Sequence, residues 1–216
     1  MLNLYNRDFW KEIKTGSTIT LKDKQAIEDA MEKGKGVSGI DYMVKQIYRL
    51  HELNSRVQWN LFQLDDVHET LWMSVKMVEQ EMDLRVYFEH PQFTSGNRKD
   101  MIDQGYFWLF KTPDNPDNFV YNDLNFASRI DIEAENSQVH VYNQKKFQEM
   151  HYYCTPDPVQ KEDSTLMATL VEYQARALCD NPELLIFELG GSYGQEGGLI
   201  RLMPGCSIGT TEIDIL

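Results

Sequence analysis

The chain has 216 residues, is 42% hydrophobic and carries a formal net charge of −13. That is enough apolar material for a sizeable core, and a charge that argues against direct binding to a phosphate backbone. The longest apolar run is Tyr106 to Phe110, so neither a signal peptide nor a membrane span is expected.

Three cysteines, Cys154, Cys179 and Cys206, form no Cys-x-x-Cys pair. They suit a reducing compartment, and the expected location is the cytoplasm or a particle assembled there. The acid is unevenly placed. Residues 1 to 36 hold seven basic and six acidic groups, whereas residues 111 to 216 hold seven and seventeen. Such a C-terminal half favours basic partners, metal ions or plain solubility.

In chain order, residues 1–36 read as two short helices and a joint. Thr20 with Asp23 resembles a capping box, Gly34 ends the second helix, and Lys33-Gly34-Lys35-Gly36 makes a flexible hinge. Residues 37–90 read as a long helical section capped by Ser38. From Ile40 to Met82 apolar residues follow in steps of three or four, and no Gly or Pro intervenes before His90. One rod or a pair is expected, broken if anywhere at Leu53-Asn54-Ser55-Arg56. An unbroken rod would reach about 65 Å, longer than the rest of the chain can cover, so part of its stripe should meet another helix.

Residues 91–216 read as an acidic α+β domain. Strands are expected at Tyr106–Phe110 and Phe119–Tyr121, separated by the turn formers Thr112 to Asn118. The spacing of Asp114 and Asp117 lacks the glycine and closing Glu of a calcium loop. Arg129 to Tyr142 reads as a hairpin turning at Asn136-Ser137, with Ala134 opposite Val139 and Glu133 opposite His140. Ile130, Ile132, Ala134, Val139 and Val141 would then face the core. A strand at Met150–Thr155, a helix at Ser164–Leu178 and a strand at Leu184–Leu189 follow. Seven of the thirteen glycines fall in the tail, and two short strands, near 199–202 and 211–215, fit between those breaks.

The strand, loop, helix, strand order after Met150 has the layout of a nucleotide-binding loop. Where phosphate would need Gly-Lys, however, the chain has Glu162-Asp163, so no nucleotide is expected. His151 and Cys154 with Cys179 and Cys206 lack the geometry of a zinc site, and Asp65, His68 and Glu69 lack the second copy that a di-metal bundle requires. No cofactor or metal is expected.

The expected class is therefore α+β, with a helical N-terminal half and a β-rich C-terminal half carrying one further helix. The expected role is non-enzymatic: interaction or assembly through the long helix, with copies of itself or a helical protein partner, as components of viral particles and secretion machines are built. Its interaction surface would comprise Ile47, Leu50, Val57, Trp59, Leu61, Leu64, Leu71, Trp72, Val75 and Val78, and its acidic face Asp131, Glu133 and Glu135. The alternatives are an enzyme with a site near the Gly-rich C-terminal loops, where paired glycines allow close approach of a ligand, and an acidic regulator that occupies a basic surface of its partner.

Overall fold

The computed structural model describes residues 4–22, 41–51, 57–66, 70–79, 81–90, 92–115, 117–133, 139–155, 167–175, 183–190 and 198–216. Among them are eleven strands, paired antiparallel wherever the register is defined, and two short α-helices. The strands are β1 (Thr18–Leu21), β2 (Asp41–His51), β3 (Val57–Asp65), β4 (Thr70–Val78), β5 (Glu81–Phe88), β6 (Arg129–Glu133), β7 (Val139–Thr155), β8 (Met167–Ala175), β9 (Glu183–Leu189), β10 (Leu199–Ser207) and β11 (Ile213–Ile215). The helices are α1 (Arg7–Glu12) and α2 (Arg98–Asp103). None of the described helices is long and apolar enough to cross a membrane.

The expected α+β class with a helical half is thereby overturned, and with it the long helix through which assembly was expected. Residues 41–88 are a four-stranded meander, β2 to β5. The cause lies in burial on both faces. Val75 and Met77 point into one core while Trp72, Ser74 and Lys76, also buried, point the other way. Strands buried on both sides give near-continuous apolar runs, from which a spacing of three and four can be picked as readily as two.

The aromatic and β-branched content of these runs, with Val44, Ile47, Tyr48, Trp59, Phe62, Trp72, Val75, Val86 and Tyr87, favours the pleated form. The suspected break at residues 53–56 falls between β2 and β3 and lies outside the described residues. Between β4 and β5 the register leaves two residues at the turn, where Glu79 adopts φ 55°, the left-handed conformation a tight hairpin demands.

The chain forms two compact units. The first comprises residues 1–88, 150–165 and 205–216. Its strand order runs β11, β1, β2, β3, β4, β5 and the end of β10, and the end of β7 also pairs with β2. Its core is built on Trp10, Ile19, Tyr42, Ile47, Phe62, Leu64, Leu71, Met73, Val75 and Val86. Helix α1 is tied to the sheet by Arg49, which donates to the carbonyls of Trp10, Lys11 and Ile13 and to Asn60 Oδ1. The unsatisfied carbonyls of a helix end thus meet a buried guanidinium.

The second unit comprises residues 89–149 and 166–204. Its strands run β10, β9, β8, β7, β6, and its core joins Phe93, Met101, Leu109, Phe110, Leu124, Phe126 and Ile130 to Tyr142, Val171, Tyr173, Ile186 and Leu202.

Three further expectations in this region are corrected. The helix expected at Ser164–Leu178 is strand β8 over its described part, paired with β9 from Ala168 opposite Leu189 to Gln174 opposite Glu183. Its alternation of Thr169, Val171 and Tyr173 with Leu170 and Glu172 suits a pleat. The strands expected at 106–110 and 119–121 give way to 3-10 turns at Phe107–Leu109 and Tyr121–Asp123.

The hairpin β6–β7 forms, but one residue out of the expected register: Ile130 faces Tyr142, Asp131 faces Val141, Ile132 faces His140 and Glu133 faces Val139. Tyr142 is thereby buried beside Ile130 while Val139 remains 55% exposed. Burying one aromatic ring outweighs burying two valines at a strand end. Ala134 to Gln138 lie outside the described residues.

Candidate functional site

The residues expected to form a helical seam sit on two opposite faces of the first unit's sheet. Ile47, Leu64, Leu71 and Val75 belong to its core, whereas Leu50, Trp59, Leu61 and Trp72 are buried on the other face. Val57 is half-buried and Val78 exposed, at opposite ends of one cross-strand pair. On that second face the Trp59 indole donates to Ser74 Oγ at 2.6 Å, and the Lys76 ammonium lies 4.2 Å from the centre of the Trp59 ring.

Other candidates are dispersed. Asp65 ends β3 and is held by Lys45 and Thr70, while His68 and Glu69 lie outside the described residues, as do Cys179 and residues 156–166. Cys206 is buried in the first core. His151 sits opposite His51 across β2 and β7, their rings stacked 5.8 Å apart. Among the described residues no group of three or more His, Cys, Asp or Glu is placed to hold a metal ion. In the Gly-rich tail, Gly205 lies so close to β5 that a Cβ there would overlap the Val86 carbonyl oxygen and the Tyr87 ring. Packing accounts for that glycine without a ligand.

The acidic face is present in part. Asp131 and Glu133 are exposed on β6, and Glu135 lies outside the described residues. Arg129 clasps Asp131 through two hydrogen bonds of 2.8 Å, which hold the Asp131 carboxyl below its ordinary pKa. Half of that described face is internally neutralised.

The most unusual surface in the second unit lies between Gly105 and Phe126, where the sequence shows Tyr106, Phe107, Trp108, Phe110, Phe119, Tyr121 and Phe126 around the turn formers 112–118. The segment is pinned at its base. Phe110 and Phe126 form an antiparallel bridge, Lys111 N–H donates to Asn125 O, and Ala127 N–H donates to Leu109 O.

Helix α2 supports it from one side. Asn97 and Asp100 make a reciprocal capping box, and Arg98 donates through Nε and Nη2 to the two oxygens of Glu188, both at 2.7 Å. The same guanidinium donates to Leu124 O at 2.6 Å and lies over the Phe126 ring. One buried ion pair thus fixes helix, loop base and strand β9 together.

On this base the rings form two touching series. Phe93, Tyr106 and Trp108 follow at 4.7 and 6.1 Å; Phe107, Phe119 and Tyr121 follow at 6.2 and 5.2 Å, three of the four contacts being edge-to-face. Tyr106 and Phe119 are rooted against the second core, and Tyr106 Oη donates to Gln92 O. Trp108 is 41% exposed and Val120 still more so, whereas Trp10, Trp59 and Trp72 are fully buried.

Asp114, Asp117 and Asp123 are exposed beside these rings in sequence, and none has an ion-pair partner among the described residues. Lys99 of α2 bonds Asp103, which raises the lysine's pKa, with the Tyr121 hydroxyl adding a smaller electrostatic contribution. Chemically the arrangement offers flat apolar faces in an acidic field, and its described residues supply no nucleophile activated by a base. The sequence signal was the aromatic density next to Pro-Asp-Asn repeats, which alternation alone assigned to strands.

Comparison of the chain with protein-family models, with curated proteins and with solved structures finds no match.

Proposed function

We propose that the chain is a non-enzymatic interaction protein that docks a partner protein on the aromatic surface around Trp108. The observation that supports it is the selective exposure of this ring. Three of the four tryptophans are buried, and the fourth stands at the surface, braced by Tyr106 on a loop pinned at both ends. Rigid, partly exposed aromatics with little side-chain entropy to lose are the usual anchors of protein interfaces. The docking residues thus move from the sheet, where the apolar stripe is buried in the first unit, to the 105–126 segment of the second.

The test is site-specific photo-cross-linking in cells of the source, with a photoreactive amino acid at position 108 and, as a control of similar exposure, at Phe147 on β7. A discrete adduct from 108 that is absent from 147 is the expected result. Equal labelling from both positions, or none from 108, would count against the reading.

A further inference from the structure

The partner's chemistry follows from what surrounds the rings. We infer that the segment docking on the Trp108 surface is cationic, an extended stretch of polypeptide whose arginine or lysine side chains lie against these aromatic faces; this rests on the reading of the surface as a docking site.

An aromatic face carries negative charge density and attracts cations placed within about 6 Å of its centre. Among the described residues the chain uses that attraction internally, with Lys76 over Trp59 at 4.2 Å and Arg98 over Phe126 at 5.3 Å. Trp108, the exposed tryptophan, is the best such acceptor left at the surface.

The field around it has one dominant sign. Asp114, Asp117 and Asp123 lack ion-pair partners among the described residues, and Lys111 is the single cation between Gln104 and Asp123. Asp103 and Asp131, which flank this segment in sequence, are already engaged by Lys99 and Arg129. Unpaired negative charge is therefore concentrated on the aromatic loop, with three such carboxylates, whereas the described β6 face keeps Glu133 alone. Nucleic acid and anionic lipid would be repelled. A neutral sugar could stack on Trp108 but would gain nothing from the net charge. A guanidinium gains from both, since it stacks on rings and pairs with carboxylates, so arginine should exceed lysine.

The experiment uses the full chain and three twelve-residue peptides of alternating glycine with arginine, lysine or glutamate, together with a neutral cello-oligosaccharide. Binding is read by the emission of Trp108, since the other three tryptophans are shielded. The arginine peptide should shift that emission and bind more tightly than the lysine peptide, and the glutamate peptide and the sugar should not bind. Trp108→Ala should weaken the arginine peptide about tenfold, read by calorimetry, and Trp108→Phe by less. Asp114→Asn, Asp117→Asn and Asp123→Asn together should weaken it and flatten its salt dependence.

Circular dichroism checks that each variant folds, and Trp108→Phe keeps the test open if Trp108→Ala does not. If the arginine peptide binds Trp108→Ala as well as the unaltered chain, attraction is diffuse and the inference fails. If the sugar or the glutamate peptide binds in a Trp108-dependent way, docking on this surface stands and its cationic partner does not. If no probe shifts the emission and position 108 does not cross-link, both fall.

Discussion

Single side chains decide more of this molecule than its repetitive strands suggest, and three of them give direct tests. His90 follows β5 and is mostly buried; its Nδ1 accepts from the Gln92 N–H, and burial lowers its pKa. The neutral imidazole is therefore the folded form, and below the ordinary value near 6.5 the unfolded chain takes up a proton that the folded chain resists. Stability should fall as pH drops from about 6.5 through the depressed His90 pKa, and urea midpoints of His90→Gln should lose that part of the slope. A variant with an unchanged pH slope would assign the effect to other groups.

Glu79 holds φ 55° without the freedom of glycine. Glu79→Gly should raise the unfolding free energy by up to about 1 kcal/mol, read from denaturant titration, because the turn conformation costs glycine nothing. Glu188 is 3% exposed and its charge is matched by Arg98. Arg98→Ala should cost about 3–5 kcal/mol by stranding a buried carboxylate, and a second change, Glu188→Leu, should recover much of it.

At the scale of elements, the expected seam supplies a sharp contrast. Leu64 and Leu71 face each other across β3 and β4 inside the first core. A helical seam predicts that aspartate at these positions separates subunits and leaves folded monomers. The sheet predicts loss of the fold itself, since an unpaired carboxylate cannot be buried there. Near-ultraviolet dichroism of the double variant distinguishes a folded monomer from an unfolded chain. Gly205 is a second point of close approach, and Gly205→Ala should lower the melting temperature through its overlap with Val86 and Tyr87 on β5.

Legibility followed the same division. Strand ends at Thr155 and Leu189 could be read because turn formers or polar residues bound short apolar runs; the β2–β5 meander could not, because both its faces are buried. The hairpin's position was legible in Arg129 to Tyr142, while its register turned on whether Tyr142 or the two valines won the core. For the candidate site the aromatic residues were visible, yet their exposure was not: Trp59, Trp72 and Trp108 look alike in sequence, and tertiary placement buries two of them.

For the whole molecule, the apolar stripe of residues 40–82 set the expectation of assembly, and the fold buries most of that stripe in a sheet. Two hydrophobic clusters organise two units, and the exposed aromatic loop of the second carries Asp114, Asp117 and Asp123 within its own sequence. The Arg98–Glu188 pair and the Phe110–Phe126 bridge hold the base of the loop in place, and a partner docking there as proposed would lose less entropy on binding. The central claim, that this loop is the docking surface, is tested most directly by hydrogen exchange on the full chain with and without the protein recovered by cross-linking at position 108. Added protection confined to residues 105–126 and the adjoining α2 is the predicted result; protection centred on β2–β5, with the aromatic loop unchanged, would contradict it.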